Sequence, residues 1–148
     1  MDSITTSQLL KILKSADIDT LKGYEEGYLQ DRDPTFTEYI DALIEKKQLK
    51  RQDIFQKADF PQKYGYKILS GERHTQDRDK LLRLLIAMNL NLKEAQRALT
   101  LYGMPVLYPK IKRDAIFIIA FNKGISSVET VNEWLQEYGE EELSKIGE

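Results

Sequence analysis

The apolar residues of this chain recur at intervals of three and four, and no segment shows sustained alternation bounded by turn residues. That spacing draws a stripe along one face of a helix and supplies no pleated face for a sheet, so the chain is expected to be all-α. In "PTFTEYIDALIEKKQ", Thr35 or Thr37 can cap a helix whose one face carries Phe36, Tyr39, Ile40, Leu43 and Ile44. Lys46 and Lys47 fall in its last turn, where cations suit the helix dipole. "KRQDIFQKA" and "PQKYGYKIL" predict two shorter helices, the second with Pro61 at its first position and Gly71 as its stop. "TQDRDKLLRLLIAMN" predicts a core helix opening at Thr75, with Leu81, Leu82, Leu84, Leu85 and Met88 on its apolar face. "LKEAQRALTLYG", "IKRDAIFIIAFNKG" and "SVETVNEWLQEYG" each predict about three helical turns ending at a glycine. "AIFIIAF" is the one β-rich run, and its flanks read as helical.

Upstream, "TTSQLLKILKSA" predicts a short amphipathic helix through Leu9, Leu10, Ile12 and Leu13. The Gly-, Pro- and acid-bearing "DIDTLKGYEEGYLQDRDP" reads as a connector, so residues 1–33 form an N-terminal helical arm. Two helical hairpins in the second half echo one another: Ile86-Ala87-Met88-Asn89 resembles Ile119-Ala120-Phe121-Asn122, and Tyr102-Gly103 resembles Tyr138-Gly139. Duplication and chance similarity between helical hairpins both account for that echo.

Charge is distributed unevenly. The 148 residues carry a net charge of −2, but residues 1–45 hold 4 basic and 10 acidic side chains, residues 46–83 hold 11 and 5, and residues 84–148 hold 7 and 9. The middle segment is therefore +6 between regions of −6 and −2, which marks it as the part suited to a polyanion. With no cysteine, disulfides, thiolate metal sites and cysteine nucleophiles are excluded. The start lacks the basic and apolar regions of a secretory signal and no run approaches membrane-span length, so a cytoplasmic protein without membrane contact is expected.

Within the basic segment, "QDIFQKADFPQKYGYKILSGER" resembles the helix-turn-helix of the lambda-repressor-like (Cro and phage repressor type, XRE-like) family. The resemblance implies a five-helix domain over residues 34–103, flanked by the N-terminal arm and a C-terminal helical extension over residues 104–148. Arg51 matches the start of the second helix, Ile54 and Ala58 its apolar sites, Ile68 the buried face of the third helix, and Gly71-Glu72-Arg73 its end. Three positions depart from the pattern. Phe55 stands where a small alanine is usual, and Gly65 where a branched apolar residue usually packs against it, so a large-for-small exchange is offset by a small-for-large one. Asp59 replaces the turn glycine and is among the few other residues that tolerate the left-handed region.

In this motif the third helix enters the major groove with its N-terminal residues toward base edges, while neighbouring donors hold phosphates. The resemblance thus implies that Gln62, Lys63, Tyr66 and Lys67 face the groove and that Arg51, Arg73 and His74 clamp the backbone of double-stranded DNA. Lys46, Lys47 and Lys50 extend that surface. Lysines on a short helix also form ordinary solvated faces, Tyr64 and Tyr66 also serve as packing residues, and His74, the only histidine and so without a partner for metal binding or catalysis, reads more safely as a surface-loop residue.

No Gly-rich phosphate loop, HExxH pair or paired-carboxylate spacing occurs, so no catalytic residue, metal or cofactor is expected. Asp77 and Asp79 are explained by the dipole of the helix they open, and "EYGEEEL" by a solvated acidic end. The C-terminal extension is expected to pack on the domain, where it can meet the apolar arm, or to form a surface for a homodimer or a protein partner. The expected function is sequence-specific, non-enzymatic DNA binding in transcription regulation. The alternative is a protein-interaction adaptor of the same fold that does not bind DNA specifically.

Overall fold

In a computed structural model, residues 8, 10 and 33–146 are described. The chain divides into two units, Met1–Asp33 and Pro34–Glu148. In the first, Gln8 and Leu10 are helical. The remainder of the expected arm, and its packing against the C-terminal end, lie outside the described residues.

The described residues of the second unit form seven helices: α1 (Phe36–Lys46), α2 (Arg51–Ala58), α3 (Gln62–Ser70), α4 (Arg78–Ala87), α5 (Leu92–Tyr102), α6 (Lys112–Asn122) and α7 (Val128–Glu137). No strand occurs among the described residues, which gives the all-α class expected from the spacing. Thr35 caps α1 in a reciprocal box, its hydroxyl accepting from the Glu38 amide at 3.1 Å while the Glu38 carboxylate accepts from the Thr35 amide at 2.9 Å. Asn91 and Glu94 repeat that device on α5. Gly71 and Gly103 close α3 and α5 with φ of 83° in each case, the conformation that makes glycine the suitable stop.

α4 begins at Arg78, three residues later than Thr75. Asp77 is its N-cap and accepts from the Asp79 amide, while the Thr75 amide is spent on the Tyr102 hydroxyl at 2.8 Å. Every residue of α4 from Leu81 to Ala87 is buried, Arg83 included. A helix covered on all sides must be central, and α4 packs on α2, α5 and α7. α1 lies against α3 and α5, α2 against α3, α5 against α6, and α6 against α7. One hydrophobic core runs from Phe36 to Leu143 through these contacts.

The α5–α6 connection is fixed by side chains rather than by regular structure. The Gln96 amide bonds both backbone groups of Leu107, donating to its carbonyl at 2.9 Å and accepting from its N–H at 2.8 Å. Buried Asp114 accepts from the Tyr108 amide at 3.0 Å and pairs with Arg78, joining α6 to α4. Beyond α7 the chain runs without helix from Glu140 to Ile146, with the Leu143 side chain buried in the core. That burial corrects the expectation of a wholly solvated acidic end: Glu140, Glu141 and Glu142 are not buried, but the backbone carrying them is bound to the domain.

Candidate nucleic-acid interface

The α2–α3 unit is held by a turn and a close contact. Asp59 adopts the left-handed conformation (φ 51°, ψ 52°), and the amides of Asp59 and Phe60 return to the Gln56 and Phe55 carbonyls at 3.2 and 2.9 Å. These bonds satisfy carbonyls that a helix end otherwise leaves open. Across the turn Gly65 meets the ring of Phe55 so closely that a Cβ at position 65 would lie under 3.0 Å from three ring atoms. The large ring at 55 is accordingly matched by the absence of any side chain at 65. Phe55 is 2% exposed, and its ring also lies edge-on to Tyr66 with centroids 5.0 Å apart.

That packing decides how α3 is turned. Gly65, Ile68 and Leu69 are buried, Tyr64 is half-buried edge-on to Phe60, and Gln62, Lys63 and Tyr66 are exposed. Lys67 is half-buried. After Gly71 the chain folds back, the Arg73 amide donating to the Lys67 carbonyl at 3.1 Å. The Arg73 guanidinium stands 6.0 Å from the centre of the Tyr64 ring and the Lys80 ammonium 5.4 Å from it, so two cations gather over one aromatic of α3. Lys80 was not foreseen there. Its signal in the sequence is weak, because only the fold-back after Gly71 brings α4 to α3.

Two of the expected phosphate clamps have partners within the protein. Arg51 pairs with Asp41 of α1 at a half-exposed site; such surface pairs contribute about 0–1 kcal/mol, so the guanidinium can exchange Asp41 for a phosphate at small cost. His74 stacks on the Tyr102 ring with centroids 4.2 Å apart, and its Nε2 lies 3.1 Å from the Tyr102 carbonyl. A carbonyl can only accept, so Nε2 carries the proton and the ring orientation is set by α5.

The +6 segment presents less positive charge than its composition suggests. Lys47 pairs with Glu94 at 3.1 Å, Arg51 with Asp41 and Arg78 with Asp114, while Arg83 is 4% exposed. Arg83 is the residue that spacing arguments missed. An arginine inside "LLRLLI" is itself the signal, since flanking leucines on both sides leave no solvated face for it. Desolvation lowers its pKa, opposed by the charges of Asp59, Asp79 and Glu142. Asp79 does more than complement a helix dipole: it accepts from both terminal nitrogens of Arg113 at 2.8 Å and from the amide and hydroxyl of Ser144. Burial pushes its carboxyl up, but these bonds outweigh burial and hold it below the ordinary value.

Elsewhere, an open apolar groove of about 410 Å³ lies between α6 and α7, lined by Ile116, Ile119, Trp134 and Tyr138 with Lys112, Lys123 and Glu137 at its rim. No helix among the described residues is long and apolar enough to cross a membrane. Compared with protein-family models, with curated proteins and with solved structures, the chain matches none.

Proposed function

We propose that this chain is a cytoplasmic, sequence-specific DNA-binding regulator of the lambda-repressor-like type, without enzymatic activity, that lays α3 in the major groove. The observation that carries the reading is the outward face of α3. Gln62, Lys63 and Tyr66 are exposed on a helix whose opposite side is clamped to α2 by the Phe55–Gly65 contact and the Asp59 turn. In the groove, the Gln62 amide suits adenine and the Lys63 and Lys67 ammonium groups suit guanine O6 and N7. Arg51 and Arg73 take phosphates, joined by Lys80 beside Tyr64, while His74 spends its Nε2 proton on the Tyr102 carbonyl.

Selection of bound duplexes from a random pool at near-physiological salt, in parallel with the Lys63→Ala/Lys67→Ala double variant, tests this reading. Enrichment of a defined site by the parent protein and its loss in the double variant is the expected result. Affinity should fall steeply with salt, each neutralised phosphate adding about 0.9 to the log–log slope. Enrichment by neither protein sinks the reading. The alternative, a protein-interaction adaptor, is favoured by the groove between α6 and α7, where Ile119 and Tyr138 are 48% and 57% exposed.

A further inference from the structure

One buried cation ties the C-terminal end of the chain to the α2–α3 turn. The Arg83 guanidinium donates from Nε to the Ser144 carbonyl at 2.7 Å, from Nη2 to the Leu143 carbonyl at 3.2 Å and from Nη1 to the Ala58 carbonyl at 3.0 Å. Ala58 is the last residue of α2, fully buried and immediately before left-handed Asp59. Its carbonyl belongs to the set that a helix end leaves without an intrahelical partner.

Residues 140–146 are seated by further bonds. The Leu143 amide donates to Asn132 of α7 at 2.8 Å, and the Ser144 amide and hydroxyl both donate to Asp79 Oδ2 at 3.0 and 3.1 Å. Arg113 of α6 holds the preceding stretch, donating to the Glu141 and Glu142 carbonyls at 3.0 and 3.2 Å while it also grips Asp79. The segment thus touches α4, α6 and α7, and through Arg83 it reaches the end of α2.

We infer that residues 140–146 form a strap whose seating sets the α2–α3 turn, with Arg83 as the positioning residue, so that lifting the strap weakens DNA recognition by α3. Its DNA-binding half rests on the function proposed above. The physical reason is the division of Arg83's donors. With the strap seated, two carbonyls of the strap and one of α2 share a guanidinium that is 4% exposed. With the strap lifted, two of those three acceptors leave and water enters. The guanidinium then follows the solvent, and the Ala58 carbonyl loses its donor at the residue where the turn begins. Linkage requires the converse: duplex binding strengthens strap seating by the factor by which seating strengthens duplex binding.

The test uses the full chain and two variants, Ser144→Glu, which sets a second carboxylate against Asp79, and Leu143→Ala, which loosens the seat without adding charge. Far-UV circular dichroism establishes that the chain compared is folded, and hydrogen exchange is read at the turn amides of Asp59 and Phe60 and across α5. The expected result in at least one folded variant is exchange about tenfold faster at the turn with α5 unchanged, the factor that about 1.4 kcal/mol produces. Unchanged exchange at the turn, or an equal acceleration across α5, overturns the strap. Affinity for the duplex selected above should fall about tenfold in the same variant. If the parent protein selects no duplex, the DNA reading fails while turn exchange still decides the strap.

Discussion

Replacing Gly65 with alanine sets two opposing quantities against each other in α3. Alanine in a helix interior is favoured over glycine by about 1 kcal/mol, so at an open position the change would stabilise the protein. Here the added Cβ would fall under 3.0 Å from three atoms of the Phe55 ring, and that ring cannot yield freely, being 2% exposed and packed against Phe60 and Tyr66. Overpacking of this kind costs about 1–3 kcal/mol, so Gly65→Ala should destabilise by about 1 kcal/mol net. With Phe55→Ala, itself costing about 3–5 kcal/mol, the obstructing ring is gone and the same Gly65→Ala should stabilise by about 1 kcal/mol. The coupling between positions 55 and 65 is therefore about 2 kcal/mol, within the range of residues in direct contact. Urea unfolding of the four proteins of this cycle, followed by circular dichroism with the slope checked for constancy, measures it. Equal stabilisation by Gly65→Ala in both backgrounds would refute the compensation argument.

Two further outcomes follow from the polar network. Asp114→Ala removes the carboxylate from the Tyr108 amide and from a partly exposed Arg78 guanidinium that keeps the Pro105 and Val106 carbonyls, a loss of about 1–3 kcal/mol. It should lower the melting temperature by roughly 4–12 °C, and a drop under about 2 °C would show that the pair contributes little. Asp79 has a folded pKa below the ordinary 3.8, so its contribution is complete above that value and is lost as pH falls through the lower, folded one. Asp79→Asn should be less stable near neutrality and should show a shallower loss of stability on acidification below about pH 4; parallel urea-midpoint curves for the two proteins from pH 6 to pH 3 would contradict this assignment.

Much of the helical framework was legible because it is written locally. The Thr35 cap, the Gly71 and Gly103 stops and the left-handed Asp59 each depend on residues within four positions, which is the range that spacing and turn chemistry describe. The Phe55–Gly65 exchange was legible for a different reason, since two departures from a known pattern pointed at each other. The start of α4 was not, because the Thr75 hydroxyl accepts from the Asp77 amide while its own amide is bound to Tyr102, 27 residues away, and Asp77 caps instead.

The candidate site divides the same way. Ile54, Ala58 and Ile68 are buried where the resemblance implies apolar sites, while Lys67, which it turns toward the groove, is half-buried. How much of the basic segment remains available was decided by tertiary structure alone. Asp41, Glu94 and Asp114 take up Arg51, Lys47 and Arg78, and Tyr102 fixes the ring of His74 from 28 residues away. Arg83 is the furthest case: its acceptors lie 25, 60 and 61 residues distant. Helical period determined that the described residues form helices and, in α1, which stripe is buried, because those are properties of a single segment; that α4 is covered on every side from Leu81 to Ala87 was decided by its neighbours. Which charges are neutralised, and how the C-terminal strap is tied to the α2 end, arise only when separate segments exclude water together, since a desolvated ion must find its partner wherever the fold supplies one.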